Sequence, residues 1–394
     1  MKILKIKSGT KIWVNNHDLN DLNILLKSLN SEHLLDSNYL IIPQGYVGKI
    51  VTKNLKIIIE PSINYLTNID YLRLILNDKL ADSQNNSLGY DKNIDISKFI
   101  IDQFLANLQK LVKQGIPVQY KNTQIISQYL QGNVNFFESF LRIKLGIEPY
   151  FITYTQKIEM DYFVMRVIKK AYKKLIANFP NYQQFEITKT LNYISNESIR
   201  VKRLKNIRLN FNKQEKYLAN AFEFACLILQ NMSYKNIGND LSFSLIINSN
   251  LLFEKYMVNL LQQSFPKDTV KYKDSIKVAN YKRQNQKQIL IAPDIIYQGS
   301  HAVIIDIKNK NFDRAVINAD FYQIYTYCKA LNSDTGVLIY PYYQNVEPVI
   351  INPVFDEKIR IYALGIDITQ SLTFNVNKAQ SYFIENIEPI FKYG

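Results

Sequence analysis

The sequence predicts a mixed α/β fold of the α+β kind, with an N-terminal β-module, a central helical region and a C-terminal α/β core. Three observations predict it. Short alternating segments separated by turn residues fill the stretch from Ile3 to Glu60. Apolar residues at helical spacing dominate the middle of the chain, and the last third mixes strand and helix patterns. At 394 residues the chain is long enough for two domains, each with its own core.

In the N-terminal module the expected strands are Ile3 to Lys7, Lys11 to Val14, Tyr39 to Ile42, Gly48 to Thr52 and Leu55 to Glu60. Gly45 and Gly48 stand where turns are expected, and Pro61 closes the last strand because it offers no backbone donor. From Ile96 to Gln114, Phe99, Ile100, Phe104, Leu105, Leu108, Leu111 and Val112 recur at helical spacing, and Gly115 with Pro117 stops the helix. Short strands around Gly132 are expected from Val118 to Leu141, then a helix from Asp161 to Ala177 and further helices to about Met232. The C-terminal core reads as a strand Leu241 to Ile247, a helix Leu251 to Gln263, strands Leu290 to Tyr297 and Ala302 to Ile307, a helix Val316 to Leu331, and a strand Gly336 to Tyr340. The composition changes near Leu145, which divides the chain into residues 1–145 and 146–394, with the α/β core over about 240–394.

Composition narrows the chemistry. With 47% hydrophobic and 21% charged residues and no apolar run long enough for a membrane span, the chain reads as a soluble protein with no membrane partner. The start, Met1 to Lys7, lacks the apolar block of a signal peptide, so a cytoplasmic location is expected. Cys226 and Cys328 fit neither a disulfide framework nor a zinc site, and His17, His33 and His301 are too scattered for a histidine metal site or a Ser-His-Asp triad. Carboxylates and lysines must therefore carry any chemistry. A net charge of +14 favours a polyanion, nucleic acid first, through counterion release. The alternative is that lysine is simply abundant in a chain also rich in Ile, Asn and Tyr.

One constellation carries that chemistry. Asp306 and Lys308 stand two apart in Val303-Ile304-Ile305-Asp306-Ile307-Lys308, so on a strand they share one face. Asp294, after Pro293, begins the preceding strand, and a hairpin through Gln298-Gly299-Ser300 brings it beside Asp306. Two such carboxylates make a hard oxygen site suited to Mg²⁺, which lowers the pKa of a bound water and offsets charge on a scissile phosphate. Lys308 would position that water and stabilise the developing charge. The pattern is a PD-(D/E)xK motif, and metal-assisted phosphodiester hydrolysis is the reaction it implies. Alone it is a weak signal, since Asp and Lys also flank edge strands for solubility.

Further residues add to it. Glu254, in Leu252-Phe253-Glu254-Lys255-Tyr256, is a third candidate metal ligand, the alternative being a solvated helix carboxylate. Gln323 and Tyr327 are four apart on one helix face; Gln323 would orient the water or a phosphate and Tyr327 would support Lys308, although tyrosine there also suits a core position. Lys310 is a candidate phosphate contact on the side of Lys308. The basic run Arg200, Lys202, Arg203, Lys205 and Arg208 is a candidate DNA-binding surface, or else a solvated face.

Taken together, these motifs resemble the McrC subunits of McrBC-type modification-dependent restriction systems. Gly45-Tyr46-Val47-Gly48 and Leu55 to Pro61 resemble that family's early β-module, and Leu111 to Gly115, Tyr120 and Leu130 to Val134 its central helix and hairpin. Leu252-Phe253-Glu254, Pro293-Asp294, Asp306 to Lys310, Asp320 to Gln323 with Tyr327, and Leu338 to Pro341 resemble its nuclease motifs in order and approximate spacing. Met165 departs from the Asn common in relatives, and Pro61-Ser62-Ile63 replaces Pro-Lys-Ile. The resemblance implies a restriction-endonuclease-like core with Mg²⁺, DNA as substrate, and a McrB-like AAA+ GTPase or ATPase ring as partner. It also implies that the N-terminal region, up to about residue 145, docks on that ring and stimulates hydrolysis. In agreement, the chain has no G-x-x-x-x-G-K-[ST] sequence; Gly48-Lys49-Ile50 lacks the hydroxyl residue. Two alternatives are a stand-alone PD-(D/E)xK nuclease of repair or mobile elements and a non-catalytic activator of an AAA+ ring.

Overall fold

The computed structural model describes residues 2–29, 31–74, 96–196, 199, 204, 216–237, 240–273, 275–280, 288–344, 346–369 and 376–393. The chain divides into two compact units: Met1–Lys98 together with Ser233–Gly394, and Phe99–Met232 between them. Leu145, near which the sequence suggests a division, lies inside the second unit. The reason is strand pairing distant in sequence, which composition does not reveal.

The N-terminal segment contains β1 (Lys2–Lys7), β2 (Lys11–Trp13), α1 (Asn16–Ser28), β3 (Leu35–Asp36), β4 (Tyr39–Ile41), β5 (Tyr46–Val51), β6 (Leu55–Glu60) and α2 (Asn68–Arg73). The module is not all β: α1 buries Leu22, Leu25 and Leu26 at the three-and-four spacing of an amphipathic helix, with Asp18 in its first turn. Thr67 and Asp70 form a capping box that starts α2.

The second unit holds α3 (Ile96–Gln114), β7 (Gln119–Ser127), β8 (Asn133–Val134), α4 (Phe136–Leu145), β9 (Phe151–Glu159), α5 (Phe163–Asn178), α6 (Phe185–Asn192) and α7 (Lys216–Asn231). The α3 boundaries are those its apolar spacing predicts, and Phe104, Leu108 and Leu111 are fully buried. Where short strands are expected up to Leu141, α4 begins at Phe136 instead. Asn135 accepts from the Glu138 N–H at 3.2 Å to cap it, and Gly146 ends it at φ 67°. β9 pairs along its whole length with β7, from Gln119 with Glu159 to Ser127 with Phe151. Met165 is fully buried in α5. The Lys174 ammonium, on the same helix, donates to the carbonyls of Ile228 at 2.9 Å and Met232 at 2.7 Å. Burial pushes that lysine down to about 8.

The first unit resumes with β10 (Met232–Ile237), β11 (Asp240–Asn248), α8 (Ser249–Ser264), β12 (Val270–Tyr272), β13 (Ile276–Asn280), β14 (Gln288–Ile291), β15 (Ile295–Gln298) and β16 (Ala302–Ile307). It ends with α9 (Asn318–Leu331), β17 (Thr335–Tyr342), β18 (Val349–Ile351), β19 (Arg360–Asp367) and α10 (Val376–Tyr393). One sheet has the order β1-β6-β5-β11-β10, so strands that precede the second unit share it with strands that follow it. Gly48 is the hinge of that pairing. It lies inside β5 rather than in a turn, at φ 138°, and a Cβ there would meet the Leu245 carbonyl oxygen at 2.1 Å. Only glycine allows β5 so close to β11.

The second large sheet, β12-β15-β16-β17-β19-β18, is parallel across β16, β17 and β19 and antiparallel elsewhere. Alternation along β16 sends Val303 and Ile305 to a core shared with Phe253 and Met257 of α8, Phe383 and Ile387 of α10, and Tyr71 of α2. Ile304 goes to the opposite core, with Ile324 and Cys328 of α9. Because both faces are covered, all eight residues of β17 are buried. The single strand expected from Leu290 to Tyr297 is two, β14 and β15, broken at Ala292-Pro293-Asp294, where Pro293 cannot donate to a ladder. Both cysteines are buried free thiols. No helix among the described residues is long and apolar enough to cross a membrane.

Candidate active site

The β15–β16 hairpin sets the geometry. Ile295 pairs with Ile305 and Gln298 with Ala302, so Asp294 and Asp306 occupy the next step of the ladder. Asp294 Oδ2 accepts from the Ile307 N–H at 2.8 Å, which fixes its side chain toward the end of β16. Asp306 is 3% exposed and faces the Lys308 ammonium. Lys308 continues the ladder by donating its N–H to the Ile339 carbonyl at 2.8 Å. Its Nζ donates to Gln323 Oε1 at 2.6 Å, and Gln323 Nε2 in turn donates to the Tyr327 hydroxyl at 2.8 Å. The spacing of four between Gln323 and Tyr327 thus gives a relay that holds the lysine.

Glu254 reaches the same region from α8. It is paired with Lys273 at 2.7 Å and accepts from the Tyr272 hydroxyl. Lys273, at φ 50°, also donates its N–H to the Asp294 carbonyl at 3.0 Å. A cleft of about 210 Å³ is lined by Gln44, Asn250, Glu254, Asp294, Lys308 and Lys310, among others. Its far wall is tied to the N-terminal segment. The Tyr71 hydroxyl donates to Asn309 Oδ1 at 2.6 Å, Asn309 Nδ2 donates to Ser249 Oγ at 3.0 Å, and Ser249 donates its N–H to the Gly45 carbonyl at 2.7 Å.

Charge is crowded here. Burial, the neighbouring Asp306 charge and Glu254 push the Asp294 carboxyl up to about 7, against the Ile307 N–H and Lys273, which pull it down. Burial also raises Asp306, with Asp320 adding to the rise and Lys308 and Lys310 opposing it. The carboxylates of the cleft are thus crowded together, and Lys273, Lys308 and Lys310 offset their charge only in part. The donor set is hard carboxylate oxygen, which suits a small divalent cation.

Of the residues expected from sequence, Glu254, Asp294, Lys308 and Lys310 line one cleft, and Asp306, Gln323 and Tyr327 stand directly behind it. Among the described residues no three His, Cys, Asp or Glu side chains form a ready-made metal cluster. Glu254 is turned to Lys273 and Asp306 to Lys308. Arg200, Lys202, Arg203, Lys205 and Arg208 lie outside the described residues. Sequence reasoning missed Lys273, Tyr272 and Gln44, and gave no role to Asp320, the first residue of one of its motifs, which accepts from Lys310 at 2.7 Å and from the Tyr340 hydroxyl at 3.2 Å. The signal for Asp320 was available, since it stands three residues before Gln323 and so shares its helix face.

A chain of the refined half-complex from the tetradecameric assembly of Thermococcus gammatolerans McrB AAA+ hexamers with bound McrC matches with a TM-score of 0.51 at 14% identity, covering 99% of this chain and 100% of that one. A chain of the Thermococcus gammatolerans McrBC complex matches with a TM-score of 0.38 at 14% identity, over 67% of this chain and 88% of that one. No curated protein matches. The family model of the McrBC 5-methylcytosine restriction system component matches residues 41–341, most of the chain and every cleft residue named above. The chain belongs to that family of McrBC restriction system components, as the resemblance of its motifs to McrC subunits leads one to expect.

Proposed function

We propose that this chain is the DNA-cleaving subunit of a McrBC-type restriction complex, a Mg²⁺-dependent endonuclease of the PD-(D/E)xK type that works with an AAA+ NTPase ring. The observation that carries the reading is the juxtaposition of Asp294 and Asp306 across one hairpin, with Lys308 held against Asp306. Asp294 and Asp306, with Glu254 once it leaves Lys273, are the residues that would hold the ion. When bound, Mg²⁺ would activate a water and offset charge on the scissile phosphate.

The remaining work belongs to the chain. The Ile307 N–H orients Asp294. Gln323, itself held by Tyr327, directs the Lys308 ammonium into the cleft, where a fixed positive charge stabilises the charge that develops on the phosphate. Lys310 adds a second cation for backbone contact, and Arg200, Lys202, Arg203, Lys205 and Arg208 are a separate candidate for phosphate contact that does not read sequence.

Association with a ring finds support in a surface of the second unit. On α4, Phe136, Phe137 and Phe140 are 80%, 73% and 61% exposed, a concentration of aromatic side chains in water that marks an interaction surface. This helix lies within the region, up to residue 145, whose docking the family resemblance implies. The matched assembly, in which McrC is bound to McrB AAA+ hexamers, indicates the kind of partner such a surface would meet.

The test is cleavage of plasmid DNA carrying 5-methylcytosine by the full chain with its AAA+ partner, in Mg²⁺ and in EDTA. Cutting that needs Mg²⁺ and disappears in Asp306→Ala supports the reading. Undiminished cutting by Asp306→Ala would move the active site elsewhere, and stimulation of the partner without any cutting would favour a non-catalytic activator.

A further inference from the structure

Asp320 is the most thoroughly enclosed carboxylate beside the cleft, at 2% exposure, and the chemistry proposed above gives it no task. It sits in the first turn of α9. Oδ2 accepts from the Tyr340 hydroxyl at 3.2 Å, and that ring is stacked on Phe312 with centroids 4.7 Å apart, so the phenol is a fixed donor. Burial and the adjacent Asp320 charge raise the Tyr340 hydroxyl, which keeps it protonated. Oδ1 accepts from Lys310 Nζ at 2.7 Å and stands 3.8 Å from Lys308 Nζ.

The two lysines leave the end of β16 two residues apart, on one side, and the charges of both reach Asp306. Only Lys308 pairs with it. Lys310, whose side chain is 37% exposed against 12% for Lys308, is drawn instead to Asp320. A buried carboxylate costs several kcal/mol of desolvation and is tolerated where it is paired and hydrogen-bonded.

We propose that Asp320 is a positioning residue, resting on the nuclease reading above: it holds Lys310 away from Asp306 and Asp294, so that one lysine and not two competes with a divalent cation for those carboxylates. Asp320→Asn keeps the shape and an oxygen for Tyr340 but releases the ionic hold on Lys310. The freed ammonium then swings to the nearest remaining anions, which are the proposed metal ligands.

The experiment measures Mn²⁺ binding to the full chain by calorimetry, and DNA cleavage with the AAA+ partner, for the wild type, Asp320→Asn and Asp320→Asn/Lys310→Met. Residues that act behind metal ligands typically change affinity or rate by ~10–100-fold. Asp320→Asn is therefore expected to weaken Mn²⁺ binding by ~10-fold and to lower kcat by a similar factor, with KM for DNA changed less. The added Lys310→Met should restore Mn²⁺ affinity, which a merely structural role for Asp320 would not allow. Wild-type affinity in Asp320→Asn, or a double variant no better than the single one, overturns the proposal while leaving the nuclease reading standing. Failure of the wild type both to bind Mn²⁺ and to cut overturns that reading and this one with it.

Discussion

The two compact units dispose their side chains in opposite ways. In the unit formed by residues 1–98 and 233–394, carboxylates are drawn inside: Asp306 and Asp320 are 3% and 2% exposed and each meets a lysine. In residues 99–232, α4 turns its aromatic side chains out, with Phe136, Phe137 and Phe140 largely in water. Each arrangement opposes folding. Buried charge loses hydration, and exposed aromatic surface forgoes burial worth about 25 cal/mol per Å². On the proposed function, one unit would keep these costs for chemistry and the other for contact.

The largest effect bearing on this contrast is expected at the carboxylates. Asp306→Ala, Asp294→Ala or Lys308→Ala should lower cleavage by roughly 10³-fold, the scale for removing a principal electrostatic group, and Glu254→Ala or Gln323→Ala by less. Circular dichroism and partner binding should stay as in the wild type.

Next in size is Gly48→Ala. Its Cβ would stand 2.1 Å from the Leu245 oxygen, so β5 and β11 must separate, at about 3 kcal/mol or more in urea unfolding. If the N-terminal strands were an independent module, cleavage would survive this change; the shared sheet predicts that it falls with stability.

Between about pH 4 and 7 a dependence of similar scale should come from Asp294 in the first unit. Without metal, Asp294 titrates near 7 when folded against an ordinary value near 3.8. Between those values the folded chain holds a proton that the unfolded chain releases. Stability is therefore present below about 4, is lost as pH rises toward 7, and levels off above it, by on the order of 2–4 kcal/mol. Asp294→Asn should remove most of this slope in chemical unfolding at pH 5 and pH 8.

The smallest effect on stability, and the one most able to overturn the contrast between the units, is expected on α4. Replacing Phe136 and Phe140 by Asp should change unfolding free energy by only about 0.5 kcal/mol, because both are exposed, yet lower stimulation of the AAA+ partner by roughly 10–100-fold. Full stimulation by the double variant would remove the docking role from this face.

Much of this was legible because it rests on short-range pattern. The apolar spacing of α3 gave its boundaries, and Asp306 and Lys308, two apart on a strand, could only share a face. Elements were missed where local signals conflict. α4 follows a turn-rich hairpin and carries its apolar residues on an exposed face, and β19 and α10 carry no motif.

The order of the motifs determined the family from sequence alone, and the proposed chemistry rests on residue identity and spacing, Asp294, Asp306 and Lys308 being hard oxygen donors and a cation at strand spacing. It took the folded chain to show that residues as far apart as Gln44 and Lys310 line one cleft, that Glu254 turns to Lys273, and that Lys310 pairs with Asp320. Periodicity fixes which face of an element a side chain takes. Which other element covers that face depends on pairings such as Gly48 with Ile246, nearly two hundred residues away along the chain, and no local pattern encodes them.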